Sequence, residues 1–277
     1  MTAIADTPTQ RFALGIEYDG SAFHGWQVQP AQRTVQASVE RALALVADAP
    51  VATICAGRTD AGVHALGQVV HFDSPHQRPP AAYIHGTNTH LPADVRVVFA
   101  QPVAADFNAR FGALSRTYRY VILNRRQPSA LARDRACWER KPLDIAAMNL
   151  AAAALVGEHD FSAFRAASCQ AANPIRTVER IVVSASGPWI TVDIRANAFL
   201  QNMVRIVVGS LMRVGRGDVE PAWIARVLVA RDRAHRGETA PPQGLYFAHV
   251  RYESRFQLPN TMDVAALSPV SSTIMAQ

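Results

Sequence analysis

The run Gly57-Arg58-Thr59-Asp60-Ala61-Gly62-Val63-His64-Ala65, followed by Leu66-Gly67-Gln68-Val69-Val70-His71-Phe72, decides how the chain is read. Gln68 to Phe72 has strand composition and stops at Asp73-Ser74-Pro75, and the chain from Val51 reads as a short strand entering the run. Asp60 therefore belongs to a tight connection between ordered elements, with Gly57 and Gly62 permitting the turn. An arginine two residues away can keep a carboxylate ionised, and an ionised carboxylate is a nucleophile or a base. The same letters also describe a turn in which Asp60 accepts backbone N–H groups and Arg58 is a solvated surface charge.

Working outward, Arg11 to Tyr18 alternates partly and ends at Asp19-Gly20, as a strand running into a turn does. After a loop from Ser21 to Arg33, Thr34 stands at an N-cap position. Val35, Val39, Leu43 and Val46 then recur at helical spacing up to Pro50. Pro79 to Leu91 reads as a helix and Val95 to Phe99 as a strand. Beyond Phe107 the spacing predicts a strand over Thr117 to Leu123, an Arg/Pro-rich loop to Pro142 and an Ala-rich helix from Asp144 to Val156. Two strands follow, Thr177 to Ser184 and Trp189 to Ile194, with Gly187-Pro188 as the hairpin signal. Helices from Leu200 to Val214 and from Pro221 to Ala230, the latter opened by its proline, precede a last strand from Tyr246 to Tyr252. Strands and helices in mixed order, with hairpins, predict an α+β fold with a mostly antiparallel sheet. No period of 20 to 50 residues repeats in the letters. The boundaries expected are a leader at 1–10, an N-terminal subdomain at 11–105 carrying Asp60, a C-terminal subdomain at 106–256, and a Ser/Pro/Thr-rich tail at 257–277.

Of 277 residues 49% are hydrophobic and 18% charged, which is ample for a large core. The formal net charge is +6 and Lys141 is the only lysine, so the cations are almost all guanidinium groups, suited to phosphates and bases. A compositional bias toward arginine, in an Ala-rich and Lys-poor background, is the plainer reading. Three cysteines, Cys55, Cys137 and Cys169, without a Cys-x-x-Cys pair, fit neither a disulfide framework nor a zinc site. The N-terminal letters lack a signal-peptide pattern and no apolar stretch approaches the roughly 18 residues of a membrane span, so the expectation is a cytoplasmic chain with no membrane contact.

Other residues carry two readings each. Tyr118 and Tyr120 share one face of a strand and could stack a base or fill a core. Arg205 reads as a pocket cation or a helix-surface arginine beside Val204 and Ile206, and Leu245 as a pocket wall or core. His24 and Trp26 could touch RNA or anchor a loop. His64 and His71 read as structural. The arginines from Arg125 to Arg140, and Arg231, Arg233 and Arg236, suit phosphates or water.

GRTDAGVHALGQVVHF resembles the signature of the TruA-type tRNA pseudouridine synthases, the tRNA pseudouridine(38-40) synthase family. Phe23-His24-Gly25-Trp26-Gln27, Arg116-Thr117-Tyr118-Arg119-Tyr120, Asp160 to Arg165, Asn197 to Arg205 and Gly244-Leu245-Tyr246 agree in order, so that the resemblance spans residues 12 to 252. It implies that Asp60 is the catalytic carboxylate acting on uridine, that Arg58 flips the base and fills its place, and that Tyr118 lies against the uracil. It also implies that Arg205 stands in the pocket where it can pair with Asp60, and that Leu245 lines the apolar wall. The implied fold is two ferredoxin-like subdomains sharing a sheet with a central active-site cleft. The implied activity is isomerisation of uridine in the anticodon stem-loop of tRNA, positions 38 to 40, by a homodimer without metal or cofactor. Attack at ribose C1′, attack at ring C6 and a glycal route all remain open. A tRNA-binding or tRNA-folding protein of the same fold without catalysis is the alternative, and a hydrolase using Asp60 would want a second acid as proton donor.

Overall fold

The computed structural model describes residues 9–260, so most of the expected leader and the tail from residue 261 lie outside the described residues. The chain clusters into two compact units: the first takes in the chain up to Leu114 and again from Ala248, and the second runs from Ser115 to Phe247.

In unit one, strand β1 (Gln10–Tyr18), helix α1 (Val35–Ala47), strands β2 (Ile54–Cys55) and β3 (His64–Ser74), helix α2 (Pro80–His90) and strand β4 (Val95–Pro102) follow one another. Their order in the sheet is β4-β1-β3, with β2 on the far side of β3 and every pairing antiparallel. This is the split βαβ, or ferredoxin-like, topology. β1 buries Phe12, Ala13, Leu14 and Ile16 in succession. A strand with neighbours on both edges and cover on both faces needs no polar alternation.

Unit two repeats the topology with different letters. Its elements are β5 (Ser115–Asn124), β6 (Cys137–Glu139), α3 (Ile145–Ala153), β7 (Gly157–Asp160), β8 (Ile175–Ser186), β9 (Trp189–Ala196), α4 (Met203–Gly215), α5 (Trp223–Ala230) and the start of β10 (Leu245–Arg251), whose residues from Ala248 count with unit one. The strand order is β10-β5-β9-β8-β7, with β5, β9, β8 and β7 antiparallel along that path. β6 lies parallel to β5. The α+β class with mostly antiparallel pairing is what the chain adopts.

Several local readings change. Thr34 occupies the N-cap position of α1 in extended backbone, but its side chain caps nothing, and its buried Oγ1 has no hydrogen-bond partner. The first-turn donors are met instead by loop carbonyls: Val35 N–H donates to Gly25 O at 3.2 Å and Gln36 N–H to Trp26 O at 3.0 Å. Helix α4 starts at Met203 rather than Leu200 because Asn202 has φ +61°, a left-handed conformation that a helix interior excludes. Pro221 lies in the turn before α5 instead of its first turn. Asp144 does cap α3, accepting from Ala147 N–H at 2.9 Å.

Candidate active site

In unit one the Asp60 run is held by its backbone from two sides. Val63 N–H donates to Asp60 O at 3.2 Å, closing a turn whose third residue, Gly62, has the positive φ of +76° that a type II turn requires. The loop carrying Phe23-His24-Gly25-Trp26 closes on the run. Trp26 N–H donates to Thr59 O at 3.0 Å, and Gly62 N–H donates to Phe23 O at 3.2 Å. Gly25, at φ +88°, lies so near that a Cβ there would stand 2.6 Å from Thr59 O and 3.1 Å from the Asp60 carbonyl carbon. The carbonyls of the same loop cap α1, so one loop ties the helix start to the carboxylate-bearing turn.

Side chains add a second set of anchors. Thr59 is buried, and its Oγ1 meets the buried Tyr18 hydroxyl at 2.7 Å. Burial pushes the Tyr18 phenol far above its ordinary range, so it stays a neutral partner. Gln68 Nε2 donates to Gly57 O at 2.6 Å. Asp60 is half-buried and Arg58 exposed, and among the described residues Arg58 makes no ion pair. Burial pushes the Cys55 thiol up to about 11, with Arg58 and Arg110 both pulling the other way. Trp26 is a buried loop anchor, whereas His24 is exposed. Gly20 N–H donates to His64 Nδ1 at 3.0 Å and Ala109 N–H to His71 Nδ1 at 3.1 Å, so both histidines serve as acceptors for backbone.

In unit two, Tyr118, Arg205 and Leu245 gather along the segment from Ala240 to Phe247. The Tyr118 ring meets Phe199 and Phe247 edge-on, each at 5.0 Å between centroids. Tyr120 donates its hydroxyl proton to Pro241 O at 2.8 Å, and its ring covers Gly244 so closely that a Cβ would lie 2.7 Å away. Arg205, in the first turn of α4, is aimed by Nε to Ala240 O at 2.7 Å and Nη1 to Asn202 Oδ1 at 3.2 Å. Leu245 is buried at the start of β10. Arg119, on the strand face opposite the two tyrosines, forms a bidentate pair with Asp193 at 2.8 and 3.0 Å. Sequence reading did not single out Tyr18, Thr59, Gln68 or this pair. A strand whose apolar alternation is broken by an arginine was the available signal for the last.

Among the described residues, no cluster of three or more His, Cys, Asp and Glu side chains could hold a metal ion, and no helix is long and apolar enough to cross a membrane.

The class of protein follows from comparison. The family model described as tRNA pseudouridine synthase matches residues 15–112 and 151–253, and the chain belongs to that family of isomerases. Among individual relatives, proteins named tRNA pseudouridine synthase A are about half identical over nearly their whole length. That of Nitrosococcus oceani is 52% identical over 249 residues, covering 90% of this chain and 96% of the relative. That of Xanthomonas oryzae is 52% identical over 251 residues, covering 90% and 98%, and that of Hydrogenovibrio crunogenus 49% identical over 250 residues, covering 90% and 95%.

Proposed function

We propose that this chain converts uridine to pseudouridine at positions 38 to 40 of the tRNA anticodon stem-loop, with Asp60 as the catalytic carboxylate and without metal or cofactor. The observation that carries the reading is the Asp60 turn, clamped by backbone hydrogen bonds from the 23–26 loop and by Tyr18 through Thr59. A reacting group needs such preorganisation, because small misplacements cost large factors in rate.

The reaction is balanced without a co-reactant. The C1′–N1 bond breaks, the uracil turns, a C1′–C5 bond forms, C5 releases its proton and N1 ends protonated. An ionised carboxylate shielded from water serves each route open to it, whether as nucleophile or base. The target base must first leave its stack at a cost of a few kcal/mol, and exposed Arg58 is assigned to that step. Toward the substrate, Tyr118, braced edge-on by Phe199 and Phe247, is assigned to support the uracil, Leu245 to offer it an apolar side chain, and Arg205, aimed by Ala240 and Asn202, to offer positive charge. We assign the work to a cytoplasmic homodimer.

The test is incubation in EDTA with unmodified tRNA carrying tritium at C5 of uridine. Label release that disappears when uridines 38, 39 and 40 are replaced by cytidine is expected. Release that persists after that replacement contradicts the position, and release only on adding a metal or cofactor contradicts the cofactor-free route.

A further inference from the structure

Residues 107–114 of unit one form a braced turn that presents an aromatic ring to solvent. At its start Phe107 and Ala109 are buried; Ala109 N–H donates to His71 Nδ1 at 3.1 Å and Ala109 O accepts from the Tyr252 hydroxyl at 2.7 Å. At its end Leu114 N–H donates to Arg251 O at 2.8 Å. Between them Asn108 Oδ1 accepts from both Arg110 and Phe111 N–H at 2.9 Å, and Asn108 O accepts from Gly112 N–H at 2.9 Å. The backbone at 110–112 is thus fixed, yet Phe111 is 79% exposed. The Arg110 guanidinium lies 5.2 Å from the centroid of its ring.

The turn stands beside the Asp60 run. Its anchor His71 pairs across the sheet with Ile54 of β2, and β2 leads through Ala56 and Gly57 into Arg58 and Asp60. Arg110 and Arg58 both act electrostatically on the Cys55 thiol. Two guanidinium groups therefore act on the same short stretch of chain, and the exposed ring follows one of them in sequence.

We propose that Phe111 and Arg110 form a stacking platform for a nucleotide of the RNA substrate other than the reacting uridine, the base lying on the ring and the guanidinium meeting an adjacent phosphate. This deepens the proposed function and rests on its RNA substrate. A ring held out on fixed backbone loses little entropy on binding, and every base offers a flat face to it. A protein partner would call for a wider apolar patch, whereas within this turn only Leu114 joins Phe111 as an exposed large apolar side chain, beside Arg110 and the polar Asn108.

Binding of unmodified tRNA transcript by the full-length chain and its Phe111→Ala, Phe111→Leu and Phe111→Trp variants tests the platform. Alanine and leucine are expected to weaken Kd about tenfold, within the range of base–aromatic stacking, and tryptophan to restore it. The loss is expected in KM, and the sedimentation coefficient stays that of the wild type. Wild-type affinity in Phe111→Ala, or rescue by leucine as good as by tryptophan, overturns the proposal. So does a change in sedimentation that accompanies the loss, which would assign the ring to a protein interface. A wild-type chain that binds no tRNA overturns this and the proposed function together; wild-type binding with an unaffected Phe111→Ala overturns this alone.

Discussion

Thr59 points into the core between two residues that do not, and its hydroxyl contact with Tyr18 sets how Asp60 is presented. Tyr18→Phe leaves the Thr59 hydroxyl buried and short of a partner, which costs about 1 kcal/mol. Chemical denaturation is expected to show that loss, with kcat falling more than KM rises. Replacing both residues, as Tyr18→Phe with Thr59→Val, is expected to cost less than the sum of the single changes, because no polar group is then stranded. Additive losses would mean that the two hydroxyls do not act as a pair. Asp60 itself was legible in the nine-residue run through its resemblance, but Tyr18 was not, because its partner lies 41 residues away and no local period encodes such a contact.

Of the elements that sequence reading placed well, α1 shows a helical period in its own letters, with Val35, Val39 and Leu43 buried. β3 runs from His64 to Ser74, longer at both ends than the Gln68 to Phe72 strand its composition suggests, and it carries His64, Gln68 and His71. Backbone groups of other segments bond to His64 Nδ1, Gln68 Nε2 and His71 Nδ1, which offsets part of the cost of burying these polar side chains. β6 and β7 are three and four residues long and exist by pairing with β5 and β8, so their own composition carried no strand signal. The 23–26 loop shows what an irregular element contributes. Gly25→Ala, at φ +88° and with its Cβ 2.6 Å from Thr59 O, is expected to cost at least about 1–2 kcal/mol and to lower kcat at least tenfold by shifting Asp60. Melting temperature and single-turnover rate check it; a wild-type rate would show that the loop does not position the carboxylate. On β5, the side chain of Arg119 is 4% exposed and that of Asp193 32%. Arg119→Ala is expected to destabilise unit two by about 2 kcal/mol, below the range for fully buried pairs because Asp193 reaches water. An unchanged denaturation midpoint would contradict that.

Across the molecule, two units share one ferredoxin-like topology although their letters do not repeat, because that topology asks for apolar periods at certain places and not for particular residues. The proposed RNA substrate and the +6 charge together require salt dependence: log Kd for tRNA is expected to rise linearly with log salt, and affinity to fall at least tenfold between about 50 and 200 mM. Filter binding measures it, and a flat line would contradict a phosphate-based contact. Asp60→Asn should leave that slope unchanged, since a carboxylate is no phosphate contact. The central claim is tested most directly by tritium release from C5-labelled uridine in unmodified tRNA, comparing wild type with Asp60→Asn at equal tRNA occupancy. Release by the wild type and none above background by Asp60→Asn is expected. No release by the wild type from any unmodified tRNA, or release by Asp60→Asn at the wild-type rate, would contradict it.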